Sequence, residues 1–515
     1  MKKFNKLEIV KNVSSNWFAL GLNVLVGIFL SPYVLHHLGD EAFGLWVLIF
    51  SITGYYGLFD LGIRSSIVRY VAKYSATGDL EEMNRLINTA IFSYGAIGII
   101  ALLLTVIGSF YVEFIFHISG SVLSTARLLL VMVGGAISLG FPLGVFGGIL
   151  EGLQRFYLLN LTGVASTLLR ALLIVVTLRH GCGLLTIAFI TVSLPLLVAV
   201  VNGGIVLHLL PLRFSPKNMD RATLRRIANY SGTTFMIMVA ARLRFKSDAL
   251  VIGTFLSSAA ITYFTVGSRL VEYAGEVVGG LAQIFAPMSS QAVATGDMQR
   301  LRRIFVLGNR ACALIIFPIA ATLLIIGKSV IEVWVGRRYV ATGYPVLVVL
   351  LIPYTLMLAQ LASGRTLFGM AKHQSLAYVA LIEGTANLIL SIFLVRRFGV
   401  LGDAVGTAIP LACTTIWFLP RHLCRVLNLR VQTYLRQAFL LPLALAMPLV
   451  ATLLILQHWF VAHNYFQLAT QLALGSAVYA VGLLWAIWSQ KALDLQGIRE
   501  FDTARQTAIE ITETV

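Results

Sequence analysis

The segment ATGDLEEMNR at residues 76–85 recurs as ATGDMQRLRR at residues 294–303, an offset of 218 positions. Two other short turns align in the same way, one at the same offset and one at an offset of 217. They are LGDEA (38–42) with LSSAA (256–260), and GLQR (152–155) with GMAK (369–372). Three matches in register indicate that the chain contains two copies of one structural unit.

The composition excludes a water-soluble protein. The 515 residues are 58% hydrophobic and 12% charged, with a mean hydropathy of +0.86, whereas soluble domains carry roughly 25% charged residues. Fourteen apolar runs follow one another, each long enough to cross about 30 Å of hydrocarbon as a helix. They lie near residues 16–38, 44–63, 87–110, 125–150, 157–178, 184–210, 229–256, 260–287, 304–326, 344–369, 375–395, 402–424, 438–457 and 466–488. The sequence predicts an all-α polytopic membrane protein with about 14 transmembrane helices.

The repeat and the spans together predict the domain organisation. Each copy holds six spans, an even number, so the two copies have the same orientation in the membrane. The predicted parts are an N-terminal six-helix lobe (1–212), a basic linker (213–228), a C-terminal six-helix lobe (229–430), two additional helices (431–488) and a polar tail (489–515). Two like-oriented lobes are typical of an alternating-access transporter, with the substrate held between them near mid-membrane.

The net charge of +17 is explained by membrane topology. With the N-terminus inside, 25 of the 39 Lys and Arg residues fall in predicted inside segments and only 6 in outside loops. This asymmetry follows the positive-inside rule, so we expect both termini in the cytoplasm and no nucleic-acid partner.

The seventh predicted span carries four charges, Arg242, Arg244, Lys246 and Asp248. They lie about 20 to 28 Å from its inner end, at or beyond the middle of the bilayer. A charge facing lipid there costs a few kcal/mol or more, so these groups face protein or water. At 100° per residue, Arg242 and Lys246 share one face, while Arg244 and Asp248 share the nearly opposite face.

The eighth predicted span adds Arg269, Glu272 and Glu276 on one stripe, level with those charges across the hairpin. One interpretation is that Glu272 and Glu276 neutralise Arg242 and Lys246 as a helix contact. The other is a water-filled cavity wall that offers cations to an anionic group, which their depth and number favour.

Other polar residues inside spans support more than one interpretation. We expect Asp60 to pair locally with Arg64, four residues on. Glu383 and Asn387, one turn apart, would hold a coupling proton or Na⁺, or form an interhelical hydrogen bond. Arg170 must point inward, either to a cavity or to packed protein.

A ridge of glycines, Gly140, Gly144, Gly148 and Gly152, predicts close packing of the fourth span. The sequence has no P-loop, HExxH, nucleophile elbow or dinucleotide fingerprint, and its four cysteines lack ligand spacing. We therefore expect no catalytic residues, no metal and no cofactor.

Four segments resemble one known family. They are FGLWVLIFSITGYYGLFDLGIRSSIVRYVAKY (43–74), GGILEGLQRFYLLN (147–160), KSDALVIGTFLSSAAITYFTVGSRL (246–270) and VGTAIP (405–410). They look like the polysaccharide transporter family, O-antigen flippase type, of the multidrug/oligosaccharidyl-lipid/polysaccharide exporter superfamily.

The resemblance implies a V-shaped, monomeric transporter that moves undecaprenyl-diphosphate-linked oligosaccharide across a bacterial plasma membrane, coupled to H⁺ or Na⁺. It implies that Arg242, Arg244, Lys246 and Arg269 attract the diphosphate and acidic sugars, and that membrane lipid, a glycan polymerase and other assembly proteins are partners.

Three alternatives remain. Within the superfamily, the chain would be a cation-coupled multidrug exporter, which needs an acidic pocket, or a peptidoglycan-precursor flippase. A membrane-embedded glycan polymerase or ligase would need a long outer loop, and the outer loops here are short. A scaffold would have no use for charges at mid-membrane depth.

Overall fold

A computed structural model describes residues 6–116, 121–215, 219–220, 222–225, 235, 238–239, 242, 247–372 and 374–489. Every regular element in these residues is helical. The helices of the first half are α1 (Lys6–Leu38), α2 (Asp40–Gly54), α3 (Ile63–Thr77), α4 (Leu80–Phe116), α5 (Ser121–Gly152), α6 (Phe156–Arg179) and α7 (Leu184–Leu209). A 3₁₀ turn, Tyr55–Asp60, lies between α2 and α3.

The second half continues with helices that follow the same order. They are α8 (Asp248–Phe255), α9 (Ser258–Ala282), α10 (Phe285–Ala294), α11 (Met298–Trp334), α12 (Val340–Ala359), α13 (Leu361–Gly369), α14 (Gln374–Cys413), α15 (Leu419–Val426), α16 (Val431–Trp459) and α17 (Tyr465–Trp488). A 3₁₀ turn, Arg337–Tyr339, precedes α12, and a π turn, Thr414–Phe418, joins α14 to α15.

Among the described residues, twelve helical stretches are long and apolar enough to cross a membrane. One of them, Gln374–Val426, has 53 residues and is bent at Gly399, where φ is 59°. At 1.5 Å per residue it would measure about 80 Å if straight, more than two bilayer cores, so it accommodates the predicted eleventh and twelfth spans. Half of the predicted seventh span, 229–256, falls outside the described residues. Twelve stretches therefore agree with about fourteen helices, and the predicted all-α polytopic fold is confirmed.

The repeated ATGD segment ends one helix and begins the next. Gly78 and Gly296 adopt left-handed φ values of 72° and 71°, the conformation in which glycine commonly terminates a helix. The carboxylates of Asp79 and Asp297 each accept a hydrogen bond from the backbone N–H three residues on, at 3.0 and 2.8 Å. Such side chains stabilise the first turn of a helix. The helices that follow, α4 and α11, are both 37 residues long.

The GLQR and GMAK turns also share one geometry. Gln154 and Ala371 are non-glycine residues with positive φ values, 59° and 56°. The N–H groups of Arg155 and Lys372 each bond the carbonyl oxygen five residues earlier, at 2.8 and 3.0 Å. This is the Schellman arrangement at a helix end, and its recurrence supports the internal duplication.

By packing, the chain divides into two compact units, residues 1–263 with 380–403, and residues 264–379 with 404–515. These units do not follow the repeat boundaries, so the predicted lobes and linker stay predictions. In the first unit, α3, α4 and α5 enclose a core that includes Ile67, Ile87 and Ile149, each fully buried.

In the second unit, two buried arginines of α11 bond the backbone of the helices near the C-terminus, one at the end of α15 and one in the first additional helix, α16. The Nε of Arg302 donates to the carbonyl oxygen of Leu427 at 2.9 Å, and that of Arg310 donates to Gln437 at 2.8 Å. Hydrogen bonds from a charged donor to backbone carbonyls let an arginine lie among apolar helices.

Candidate functional site

The second predicted span is not a uniform helix. It is α-helical to Gly54, continues as the 3₁₀ turn Tyr55–Asp60, and ends at Leu61 and Gly62, both with positive φ. The equivalent residues of the second repeat, 273–278, lie within the uninterrupted helix α9. The interruption therefore belongs to the first repeat alone.

Arg242 lies on this irregular backbone. A Cβ placed on Gly57 would stand 2.5 Å from Nη2 of Arg242, so the guanidinium occupies the space that a side chain would fill. The hydroxyl of Tyr55 donates to the carbonyl oxygen of Arg242 at 3.4 Å. No carboxylate of the described residues forms an ion pair with Arg242. The side chain of Arg242 thus lies against the glycines and backbone of the second span.

Arg269 and Glu272 of α9 pair with each other. Nη1 of Arg269 lies 2.8 Å from Oε2 of Glu272, and both side chains are 40% exposed. Glu272 therefore has a partner on its own helix. Its charge is balanced without an ion pair to Arg242 or Lys246 of the predicted seventh span. Glu276 is exposed one turn farther along. Arg244 and Lys246 lie outside the described residues, and their roles stay predictions.

Asp60 does not form the expected side-chain pair with Arg64, and that prediction was wrong. The hydroxyl of Tyr94 donates to Oδ1 of Asp60, and the backbone N–H of Arg64 donates to the same oxygen at 3.3 Å. The guanidinium of Arg64 instead contacts Glu151, with Nη2 and Oε1 2.5 Å apart. Burial would lower the pKa of Arg64, but the hydrogen bond and charge of Glu151, together with the nearby charge of Asp60, raise that pKa.

Arg170 lies in the middle of α6. Its Nε is buried and has no hydrogen-bond partner among the described residues. A buried donor without a partner costs about 1 to 3 kcal/mol. Arg170 therefore has a buried Nε–H donor that the described part of the protein does not satisfy.

Helix α14 carries a cluster of buried polar residues. Glu383, Asn387 and Ser391 follow one another at intervals of four residues and are 4%, 1% and 0% exposed. The hydroxyl of Ser391 lies 3.0 Å from Oδ1 of Asn387 and 3.3 Å from the carbonyl oxygen of Asp403. Asp403 is fully buried, and neither of its carboxylate oxygens has a hydrogen-bond partner among the described residues. The charge of Asp248 also acts on Asp403.

The model of the protein family described as polysaccharide biosynthesis protein matches residues 9–293, more than half of the chain. The chain belongs to this polysaccharide biosynthesis family. The resemblance inferred from the four sequence segments is thereby confirmed.

Relatives of this family member are distant but cover most of its length. A putative O-antigen transporter of Shigella flexneri is 20% identical over 78% of this chain and 95% of its own. An uncharacterized membrane protein, EpsK, of Bacillus subtilis is 20% identical over 84% of this chain and 86% of its own.

The fold is also that of a solved transporter. The lipid II flippase MurJ, in an inward closed conformation, has a TM-score of 0.70 and 17% identity, covering 94% of this chain and all of MurJ. At that identity the likeness concerns the fold. This family member is a multi-pass membrane protein with a flippase-type transporter fold.

Two residues of the candidate site were not predicted from the sequence. Asp403 was overlooked, although an aspartate in the apolar run LGDAVGTAIP is itself a signal. Gly57 carried no signal, because its importance depends on Arg242, which is 185 positions away in the sequence.

Proposed function

We propose that the protein moves an undecaprenyl-diphosphate-linked oligosaccharide, the repeat unit of an O-antigen, capsule or exopolysaccharide, from the inner to the outer leaflet of a bacterial plasma membrane. Membership of the polysaccharide biosynthesis family and the transporter and flippase names of its relatives support this cargo. The observation that carries the proposal is that Arg242, a cation of the predicted seventh span, lies against the backbone of the second span and forms no ion pair with a described carboxylate.

The proposed role of Arg242 is to bind the diphosphate. A guanidinium presents a planar fork of donors that matches phosphate oxygens. Arg244, Lys246, Arg269 and Arg170 are proposed to complete the cationic lining. Such a lining offsets the cost of taking a diphosphate and a hydroxyl-rich glycan through hydrocarbon, which amounts to several kcal/mol per unpaired polar group.

The coupling ion, H⁺ or Na⁺, is proposed to use the cluster of Asp403, Glu383 and Asn387, with Asp248 beside it. A fully buried carboxylate is costly in its charged form unless a proton or cation accompanies it. The loss or gain of that ion would therefore shift the balance between two conformations of the transporter. Asp60, tied to Tyr94, is proposed to balance charge locally.

The transport itself breaks no covalent bond, so we propose that the protein is not an enzyme. It would work by alternating access as a monomer, with both termini in the cytoplasm. Its partners would be membrane lipid, the lipid-linked oligosaccharide, and the polymerase and other proteins that assemble the glycan.

The test is a profile of lipid-linked oligosaccharides in a strain that lacks the protein. We expect undecaprenyl-diphosphate-linked repeat units to accumulate and surface glycan to disappear. Accumulation of the peptidoglycan precursor would indicate the peptidoglycan-precursor alternative, and sensitivity to cationic drugs with normal glycan would indicate a multidrug exporter. Purified protein in vesicles that contain a labelled repeat unit tests the same activity without other proteins.

A further inference from the structure

Gly57 is the point where the guanidinium of Arg242 meets the second span. A Cβ on Gly57 would lie 2.5 Å from Nη2, 3.3 Å from Cζ and 3.5 Å from Nε of Arg242. Real Cβ atoms do not approach another heavy atom as closely as the first of these distances, so any other residue would force the guanidinium to move. A Cβ on Gly54, one turn earlier, would lie 3.8 Å from Nη1 of Arg242.

The backbone at this point suits a cation. Helix α2 ends at Gly54, where the backbone N–H of Tyr55 bonds the carbonyl oxygens of Ile52 and Thr53, and the C-terminal end of a helix carries partial negative charge. The 3₁₀ turn Tyr55–Asp60 continues from this end. A guanidinium placed on a glycine here lies close to that backbone, which favours a positive charge.

The internal repeat provides a comparison for this glycine. Gly275 is the counterpart of Gly57 at the offset of 218. A Cβ on Gly275 would lie 3.7 Å from Cδ2 of Leu358, an ordinary contact. The close approach of a charged side chain is therefore a property of the first repeat and not a requirement of the shared fold.

We propose that Gly57 is a positioning residue for substrate recognition, which holds the guanidinium of Arg242 on the interrupted second span with its donors directed to the substrate diphosphate. This rests on the proposed function, since Gly57 acts through Arg242. Glycine at position 57 leaves room for the guanidinium in this place, whereas a Cβ there would displace it. The bond from Tyr55 to the carbonyl oxygen of Arg242 fixes the backbone of the arginine beside the same turn.

The experiment measures binding of farnesyl diphosphate to the purified full-length protein in lipid nanodiscs. We expect Gly57→Ala and Arg242→Ala each to weaken binding about tenfold or more, the scale of a lost hydrogen bond to a charged group. The double variant should bind no worse than Arg242→Ala alone, because residues that act as one unit are not additive. Gly275→Ala, the matched control, should bind as the wild type does.

The melting temperature separates positioning from a general packing defect. In Gly57→Ala the new methyl group collides with the guanidinium, whereas in the double variant that guanidinium is absent. The double variant should therefore melt at the temperature of Arg242→Ala. If the losses of binding or of melting temperature in the two single variants add up in the double variant, then the positioning role of Gly57 is overturned.

The two proposals fail in different ways. If Arg242→Ala binds the probe as well as the wild type, then both diphosphate recognition by Arg242 and the role of Gly57 are overturned. If Arg242→Ala loses binding while Gly57→Ala retains it, then recognition stands and the positioning role alone is overturned.

Discussion

Gly152 lies against Val68, so close that a Cβ on the glycine would stand 2.9 Å from the carbonyl oxygen of Val68. In the second repeat, Gly369 lies against Ala286 in the same way, at 2.6 Å. Each contact joins the short helix that precedes an ATGD segment to the end of a later span. The shared contact explains why a glycine occupies the first position of both the GLQR and GMAK turns.

We expect Gly152→Ala and Gly369→Ala to lower the free energy of unfolding by about 1 to 3 kcal/mol, the usual cost of overpacking. The cause is that backbone must move, because a carbonyl oxygen is among the nearest obstructing atoms in each case. Thermal unfolding of the purified protein measures the effect. Gly144→Ala is the control, since nothing lies within 4 Å of a Cβ there, and alanine favours a helix over glycine by about 1 kcal/mol. Equal melting of Gly152→Ala and Gly144→Ala would contradict the prediction.

We expect Arg242→Ala to abolish surface glycan while the protein still accumulates in the membrane. Arg242→Lys should give an intermediate level, because lysine keeps the charge but lacks the planar fork. Surface glycan and membrane protein are measured in the same cells. Arg85→Ala is the control, since Arg85 pairs with Glu81 on an exposed helix face and such pairs contribute little. Normal glycan in Arg242→Ala cells would remove Arg242 from the site.

The prediction for the polar cluster concerns coupling. Asp403→Asn keeps the shape of the side chain but removes the charge that a coupling ion would balance. We expect transport in vesicles to lose its dependence on an imposed Na⁺ or pH gradient. Asp297→Asn is the matched control, because asparagine caps a helix as well as aspartate does. If Asp403→Asn still responds to the gradient, then another group carries the ion.

The sequence was sufficient where structure is decided locally. Gly78 and Asp79 stop and start helices through contacts within a few residues, so the repeat can be recognised from the sequence alone. Contacts between distant segments could not be predicted in this way. Asp60 offered Arg64 a partner four residues away, yet Glu151, 87 residues from Arg64, forms the ion pair. Periodicity reports which residues share a face of one helix, but it does not report which other helix lies opposite.

That ion pair leads to a prediction about stability. The side chains of Arg64 and Glu151 are 48% and 27% exposed, so water screens their attraction. The counterparts of the four polar residues Asp60, Arg64, Tyr94 and Glu151 in the second repeat are apolar. They are Val278, Ala282, Cys312 and Phe368. The shared fold therefore does not require this polar network.

A double-mutant cycle with Arg64→Ala and Glu151→Ala should give a coupling energy of about 0.2 to 1 kcal/mol, as for exposed pairs. The coupling should decrease between low salt and about 1 M NaCl, where the screening length falls to about 3 Å. Unfolding midpoints of the wild type, the two single variants and the double variant supply the measurement. A coupling energy above about 3 kcal/mol that does not change with salt would contradict the prediction and mean that the pair is buried in the working protein. The first repeat would then depend on a buried ion pair that the second repeat lacks.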